Sequence, residues 1–236
     1  MNEPELERLR RAYRERDAQA AGPYRWDNPG YVAYMQNVER ALLRALSEAG
    51  VRLSGARVLD VGCGSGYFLH RLEEYGAGEC HGVDLMQDRI DEARKRYPTL
   101  HLGVGNAAEL PYGDGEFELV TQFTCLSSIL DDELRLAAAR EMRRVGSGGW
   151  ILSLDMRSVR PLALRTRRGT PTVGLDEPEL HRLFGEPATL RRTALRFELA
   201  ELVRGRALPV AVLGAVPPLR SHFLGLWQVP ARQSER

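Results

Sequence analysis

The feature that most constrains the fold of this chain is a short, mainly apolar run that ends in three closely spaced glycines. Residues 58–61 form a run short enough for a buried strand, and Gly62, Gly64 and Gly66 follow at alternate positions. Glycine adopts backbone conformations that other residues avoid, so these glycines permit a tight turn from the strand into a helix. The segment therefore predicts a strand, a glycine loop and a helix, as at the start of an open parallel sheet.

An acidic residue follows this loop at the spacing expected of a nucleotide-like ligand site. Asp84 ends a second apolar run about 20 residues later, where its oxygens can accept hydrogen bonds from both hydroxyls of a ribose. A dinucleotide loop has its third glycine where this chain has Tyr67, so a cofactor without a pyrophosphate is favoured. An ordinary connection between strand and helix is the alternative for the loop alone, and Asp60 and Asp84 argue against it.

Two further segments follow in an order that resembles a known family. Residues 106–112 are similar to its third loop and residues 113–120 to its fourth strand. Over roughly residues 38–160 the chain resembles the class I S-adenosylmethionine-dependent methyltransferases. The resemblance implies an α/β fold, a Rossmann-like, doubly wound sheet of seven strands that is mostly parallel with an antiparallel last strand, plus an amino-terminal helical lid.

The resemblance implies S-adenosyl-L-methionine as the cofactor. In the family, the residue that matches Asn106 is usually Asp and binds the adenine amino group, a hydrogen bond that the Asn side-chain oxygen can also accept. The predicted cofactor-binding residues are Tyr24, Asp60, Gly62, Cys63, Gly64, Gly66, Asp84, Leu85, Asn106, Ala107, Gln122 and Phe123.

Both ends of the chain are expected to build the acceptor side. We expect a lid segment at residues 1–37 and the methyltransferase domain at residues 38–236, with a small substrate-side insertion at about residues 157–187. Tyr24, Trp26 and Tyr31 stand near the start of a predicted helix over residues 31–50, where an aromatic face can contact a sulfonium cation. Core packing is the alternative for these rings.

Apolar spacing predicts the later elements. A helix is expected at residues 131–145 and is closed by glycines, and the strands are expected at residues 150–156, 188–197 and 221–229. The last two strands resemble the antiparallel hairpin that ends the sheet in the family.

The transfer itself depends mainly on positioning, and a base helps an acceptor that starts protonated. His222 begins the last predicted strand and is the first candidate to face the acceptor, and Tyr31 is the second. Ser127 and Ser128 stand where many family members place a histidine. Activation by Asp155, or by no protein base, is the alternative.

Composition limits the partners. The 236 residues are 43% hydrophobic, enough for one α/β domain, and the net charge of +1 gives no sign of nucleic-acid binding. Cys63, Cys80 and Cys125 lack the number and spacing of a disulfide framework or a metal site, so no metal is expected. We find no secretory signal, and prolines interrupt the apolar residues 208–219.

These observations favour a cytoplasmic methyltransferase that acts on a small molecule, such as a sugar, a lipid-linked sugar or a secondary metabolite, without a membrane span. The oligomeric state is open, and a homodimer is compatible with the sequence. A nicotinamide-dependent oxidoreductase or a catalytically silent adenosylmethionine-binding protein are the alternative functions.

Overall fold

A computed structural model of the protein describes residues 3–18, 25–158 and 172–232. The helices are α1 (Glu3–Ala18), α2 (Pro29–Glu48), α3 (Tyr67–Glu74), α4 (Gln87–Arg96), α5 (Asp132–Val145), α6 (Glu177–Phe184), α7 (Phe197–Leu202) and α8 (Ala207–Gly214). The strands are β1 (Arg57–Val61), β2 (Glu79–Asp84), β3 (His101–Val104), β4 (Leu119–Phe123), β5 (Trp150–Met156), β6 (Thr189–Leu195) and β7 (Arg220–Gln228). Short 3-10 turns occupy Leu126–Ser128 and Pro217–Leu219.

The strands form one sheet in the order β3-β2-β1-β4-β5-β7-β6. The pairs among β1 to β5 are parallel, and β7 is antiparallel to both of its neighbours. The chain reverses its direction of winding between β1 and β4, which is where open α/β sheets bind ligands at the carboxyl ends of their strands. The predicted fold class is confirmed.

Apolar side chains cover both faces of the sheet. Along β5, Ile151 belongs to the core beneath α5 and α6, while Leu152 belongs to the core beneath α2, α3 and α4. This alternation follows from the two-residue period of a strand. Trp227 of β7 is fully buried and lies over Gly225, where a Cβ would come within 2.0 Å of the indole ring.

Several element boundaries differ from the sequence predictions. The helix predicted at residues 31–50 begins at Pro29, because the Asn28 side chain caps it by accepting a hydrogen bond from the Gly30 amide at 2.9 Å. The strand predicted at residues 188–197 ends at Leu195, next to Ala194, whose φ of 55° departs from strand geometry. The expected boundary between lid and domain, at residue 37, falls inside α2.

The register of the sheet decides which residues meet at the ligand-binding edge. Met156, at the carboxyl end of β5, pairs with His222 near the start of β7. Because β7 runs in the opposite direction, His222 lies at the same edge as Asp60 and Asp84, which stand near the carboxyl ends of β1 and β2. Residues from both halves of the sequence therefore meet at one edge.

Candidate cofactor and acceptor site

A cavity of about 710 Å³ opens at this edge of the sheet. Residues from the carboxyl ends of the central strands line it on one side, and residues from α1, α2, α7 and the start of β7 line it on the other. The predicted site residues that line it are Tyr31, Asp60, Gly62, Cys63, Gly64, Asp84, Leu85, Asn106, Ala107, Phe123 and His222. Gly66 and Gln122 do not line it, and Tyr24 lies outside the described residues.

The glycine loop is shaped by its backbone. Gly62, Gly64 and Gly66 have φ angles of 74°, 52° and 74°, in the region that favours glycine. A Cβ on Gly62 would lie 2.7 Å from the sulfur of Cys125, so the close approach of the loop to the turn after β4 also requires glycine. A Cβ on Gly64 would meet only the Arg89 guanidinium, at 3.8 Å, so this glycine presents bare backbone to the cavity.

Asp84 is held rigidly beside this loop. One carboxylate oxygen accepts a hydrogen bond from the Gly64 amide at 2.8 Å, and the other accepts one from the Met86 amide at 2.9 Å. Each carboxylate oxygen has a second lone pair, so the group can still accept from two hydroxyls. The side chain is thus oriented before any ligand arrives.

Asp60 is a buried acid at the floor of the cavity. It is only 2% exposed, and it accepts a hydrogen bond from the Thr121 hydroxyl at 2.8 Å. Burial, together with the nearby Asp84 charge, raises the pKa of Asp60 to about 8 despite that hydrogen bond. A cationic ligand would favour the ionised form, so the site suits a positively charged cofactor.

Asn106 lines the cavity beyond Asp84. Its side-chain oxygen accepts a hydrogen bond from the Ala108 amide at 3.0 Å, which keeps the side chain close to the loop. An Asn also carries two amide hydrogens that an Asp lacks. The loop therefore offers a ring ligand both donor and acceptor atoms.

Gln122 supports the site from beneath. Its side-chain oxygen accepts a hydrogen bond from the Cys125 amide at 2.9 Å, and its amide nitrogen donates to Ser153 and Asp155. Asp155 also accepts from the Ser127 amide at 3.0 Å, and burial raises the pKa of Asp155 to about 6 against these hydrogen bonds. Neither Gln122 nor Asp155 lines the cavity, and together they fix the turn that follows β4.

Helix α1 covers the cavity, and a partly buried ion pair within it fastens the helix by hydrogen bonds to the segment after β4. Glu5 and Arg8 are 2.6 Å apart, and Glu5 accepts a hydrogen bond from the Leu130 amide at 2.6 Å. Arg8 donates to the carbonyl oxygen of Ser128 at 2.7 Å. Burial opposes the charge on Glu5, but Arg8 and the backbone amides outweigh it and lower the pKa of Glu5.

Apolar residues of the same helix reach the cavity. Leu6, Leu9 and Tyr13 line it, and the Tyr13 hydroxyl donates to Ser128 at 2.8 Å. Sequence reasoning placed this helix in the expected lid segment but named none of these three residues as site residues. The spacing of these three residues on one helical face is the signal that was available.

Aromatic rings form a wall of the cavity on the α2 side. Phe68 and Phe123 stack with their centroids 4.0 Å apart, and Tyr67 lies 4.6 Å from Trp26. Tyr31 lies 5.2 Å from Trp26 and contacts Phe197 of α7 edge to face. Tyr67 therefore fills space that the third glycine of a dinucleotide loop would leave open.

His222 stands at the other end of the cavity with two polar neighbours. It is 8% exposed, and its Nε2 lies 3.2 Å from the hydroxyl oxygen of Tyr34. Its Nδ1 lies 2.8 Å from the hydroxyl oxygen of Ser221. Burial lowers the pKa of His222 to about 4, so the imidazole is neutral.

Sequence reasoning did not identify Tyr34 and Ser221 as site residues. Tyr34 stands one helical turn after Tyr31, and both line the cavity. Ser221 also lines it. The sequence could have indicated Tyr34, because it lies on the same helix face as the candidate Tyr31. Ser221 could be assigned to the site only once the register of the sheet was known.

Comparison with known proteins identifies the class to which this site belongs. Residues 58–149 match the family model described as a methyltransferase domain. An O-methyltransferase of Penicillium expansum is 30% identical over 131 residues, which cover 52% of this chain and 46% of that protein. Norajmaline N-methyltransferase of Rauvolfia serpentina is 30% identical over 155 residues, which cover 58% and 51%. The chain thus spans about half the length of these relatives.

Solved structures agree on the fold. Magnesium protoporphyrin IX methyltransferase from Synechocystis PCC 6803, determined with bound SAH, superposes with a TM-score of 0.63 at 18% identity. The match covers 95% of this chain and 94% of that one. Residues 58–149 are therefore similar to a methyltransferase domain, and the chain shares the fold of this methyltransferase that was solved with bound SAH.

Residues 3–18, 25–158 and 172–232 show neither a membrane-spanning helix nor a cluster of metal ligands. None of the helices there is long and apolar enough to cross a membrane. No group of three potential ligands among His, Cys, Asp and Glu is placed to hold a metal ion within those ranges. Cys63, Cys80 and Cys125 are free thiols, and Cys63 and Cys80 are buried.

Proposed function

We propose that this protein transfers a methyl group from S-adenosyl-L-methionine to a small-molecule acceptor. The observation that carries the proposal is that one cavity joins Asp84 and Asn106 at one end to Tyr34 and His222 at the other. A donor held at the first end leaves the second for an acceptor. Catalysis by positioning of the two reactants requires such a shared space.

The floor of the cavity is proposed to bind the donor. In this proposal Asp84 accepts hydrogen bonds from the ribose hydroxyls, Asn106 contacts the adenine edge, and the bare backbone of Gly64 permits close approach. Buried Asp60 ionises beside the cationic end of the donor. The bound cofactor supplies an electrophilic methyl group on a sulfonium centre.

The roof of the cavity, formed by α1 and the aromatic wall, is proposed to bind the acceptor. Leu6, Leu9 and the aromatic wall offer apolar surface, which excludes water from the place where the methyl group is transferred. Tyr31 is proposed to face the sulfonium or the acceptor from this wall. His222 is proposed as the nearest neutral base.

The acceptor class is supported by the relatives and by the shape of the site. Two relatives are named as an O-methyltransferase and a norajmaline N-methyltransferase, and half of each is matched. We propose a sugar, a lipid-linked sugar or a secondary metabolite as the acceptor, with no nucleic-acid partner. The free thiols support action in the reducing cytoplasm.

Calorimetric titration tests the donor assignment. The protein should bind S-adenosylmethionine and S-adenosylhomocysteine and should not bind NAD. Asp84→Asn should weaken both interactions, and Asp88→Asn on the exposed surface of α4 serves as the matched control. Tight NAD binding would favour a nicotinamide-dependent oxidoreductase, and binding of none of the three would refute the proposal.

A structure with S-adenosylhomocysteine separates the enzyme from a silent binding protein. Asp84 should contact the ribose, and the sulfur should point toward Tyr34 and His222. A sulfur that points into the floor, away from both side chains, would leave no room for transfer.

A further inference from the structure

A row of polar groups runs from the cavity to the outer edge of the sheet. The Tyr34 hydroxyl lies 3.2 Å from Nε2 of His222, and Nδ1 lies 2.8 Å from the Ser221 hydroxyl. Ser221 in turn donates to the carbonyl oxygen of Ala194 at 3.2 Å. Tyr34, Ser221 and His222 all line the cavity.

The last contact fixes the direction of the row. A carbonyl oxygen only accepts, so Ser221 uses its single hydroxyl hydrogen on Ala194. Nδ1 of His222 must then donate to the Ser221 oxygen, which leaves Nε2 with a bare lone pair. That lone pair accepts the hydrogen of the Tyr34 hydroxyl. Every hydrogen bond in the row is therefore donated in the direction from Tyr34 toward Ala194.

The charge balance of a methyl transfer suits this arrangement. A buried imidazolium is unfavourable, in keeping with the pKa of His222 near 4. Transfer removes the positive charge of the sulfonium from the same cavity, however, so a proton that reaches His222 replaces one cation by another. The low pKa then returns the proton to water when the products leave.

Resting on the proposed function, we propose that Tyr34 and His222 take up the proton of a neutral hydroxyl acceptor, which makes the reaction an O-methylation of an alcohol or phenol. The acceptor hydroxyl donates to the Tyr34 oxygen. As the acceptor oxygen bonds to the methyl carbon and the carbon–sulfur bond breaks, its proton passes to Tyr34 and the proton of Tyr34 passes to Nε2. The products are a methyl ether, a neutral sulfide and an imidazolium, with the same total charge as the reactants.

Each residue has a distinct part in this row. Tyr34 is a catalytic residue because it touches the acceptor, and Ser221 is a positioning residue that fixes the tautomer of His222. An amine acceptor would not need the row, because a neutral amine attacks through its own lone pair and its product loses a proton to water.

The tautomer of His222 provides a test that needs neither donor nor acceptor. In nitrogen-15 NMR spectra of the free protein, with the signal assigned by His222→Asn, Nδ1 should carry the proton and Nε2 should remain bare from pH 5.5 to 8.5. His181, on the exposed surface of α6, provides the reference for an exposed ring. A wild-type protein with its proton on Nε2 would overturn the proposal.

Two Ser221 variants sharpen this test. Ser221→Ala should move the proton to Nε2, and Ser221→Thr, which keeps the hydroxyl, should leave it on Nδ1. An unchanged melting temperature would show that both variants fold. If the tautomer is the same in Ser221→Ala as in the wild type, Ser221 does not position His222.

Methyl transfer to paired probes tests the acceptor class. The protein should methylate methyl glucoside and phenol, which is detected as formation of S-adenosylhomocysteine. It should not methylate the corresponding amino sugar or aniline. Tyr34→Phe keeps the ring and should lower kcat about 100-fold without changing calorimetric binding of the donor. Methylation of the amines by the wild-type protein as fast as the hydroxyl probes, or an unchanged kcat of Tyr34→Phe with the hydroxyl probes, would refute the proposal.

The two proposals fail in different ways. If the wild-type protein does not bind S-adenosylmethionine, the proposed function fails, whereas the tautomer of His222 is measured without the donor. If the protein binds S-adenosylmethionine but methylates none of the probes, the proposed acceptor class fails while the proposed donor stands.

Discussion

The floor and the roof of the cavity are built in different ways. The floor comes from one stretch of sequence, residues 60–107, and it depends on backbone: glycine conformations and the amides that hold Asp84. The roof comes from segments far apart in the chain, including α1, α2 and α7, and it depends on side-chain contacts such as the Glu5–Arg8 pair. A local backbone motif can hold a common cofactor, while dispersed side chains can change with the acceptor. This difference predicts that floor variants weaken donor binding strongly and that roof variants weaken it only slightly.

The largest effect is expected at Gly62. In Gly62→Ala the new Cβ would lie 2.7 Å from the Cys125 sulfur, in a left-handed conformation that costs about 1–2 kcal/mol. We expect a melting temperature lower by several degrees and no measurable donor binding. In Gly103→Ala on β3 the new Cβ would have no neighbour within 4 Å, so this variant is the control for the loss of a glycine. Equal behaviour of both variants in thermal melting and calorimetry would contradict the argument.

The next effect is expected at Asp84. Asp84→Asn removes the charge while it keeps the shape, and hydrogen bonds to charged groups contribute about 1.5–3 kcal/mol. Donor affinity should therefore fall about 10- to 100-fold in calorimetry. A loss below threefold would show that the carboxylate does not bind the ribose, and the floor would then be defined by backbone alone.

Asp60 should make the floor sensitive to pH. Since its pKa is raised to about 8, the folded state retains a proton that the unfolded state loses, and the stability of the protein should fall as pH rises from about 4 to 8. Asp60→Asn mimics the protonated acid and should melt about 2–4 °C higher at pH 8, with little difference near pH 4. A difference that grows toward acid pH would reverse the sign and exclude a raised pKa.

The smallest of these effects is expected in the roof, at Glu5. Glu5→Gln weakens the pair with Arg8 and the fastening of α1 to the loop after β4. We expect donor affinity to fall up to about fivefold, because an ion pair of this kind contributes about 1 kcal/mol. Glu7→Gln, on the exposed side of α1, is the matched control. If Glu5→Gln weakens binding as much as Asp84→Asn, the distinction between floor and roof fails.

The sequence predicted many of the residues that line the floor of the cavity because its signals are local. The glycines, Asp84 and Asn106 stand at fixed distances along the chain, and short loops between strands and helices leave them little choice of position. For the same reason the order of the strands followed from the motif order. Gln122 shows the limit: its place in the chain suggested the cavity, but its side chain turns to Asp155 and Ser153.

The sequence by itself determined the class of fold, the position of the glycine loop and the candidate histidine. Only the tertiary structure decided which side chains of α1 line the cavity, that Tyr34 reaches His222, and that Ser221 sets the direction of the hydrogen bonds. These contacts join residues as much as 188 positions apart, as in the Tyr34–His222 pair. A spacing pattern reports neighbours along a helix or strand, whereas the pairing of β7 against β5 fixes such distant contacts.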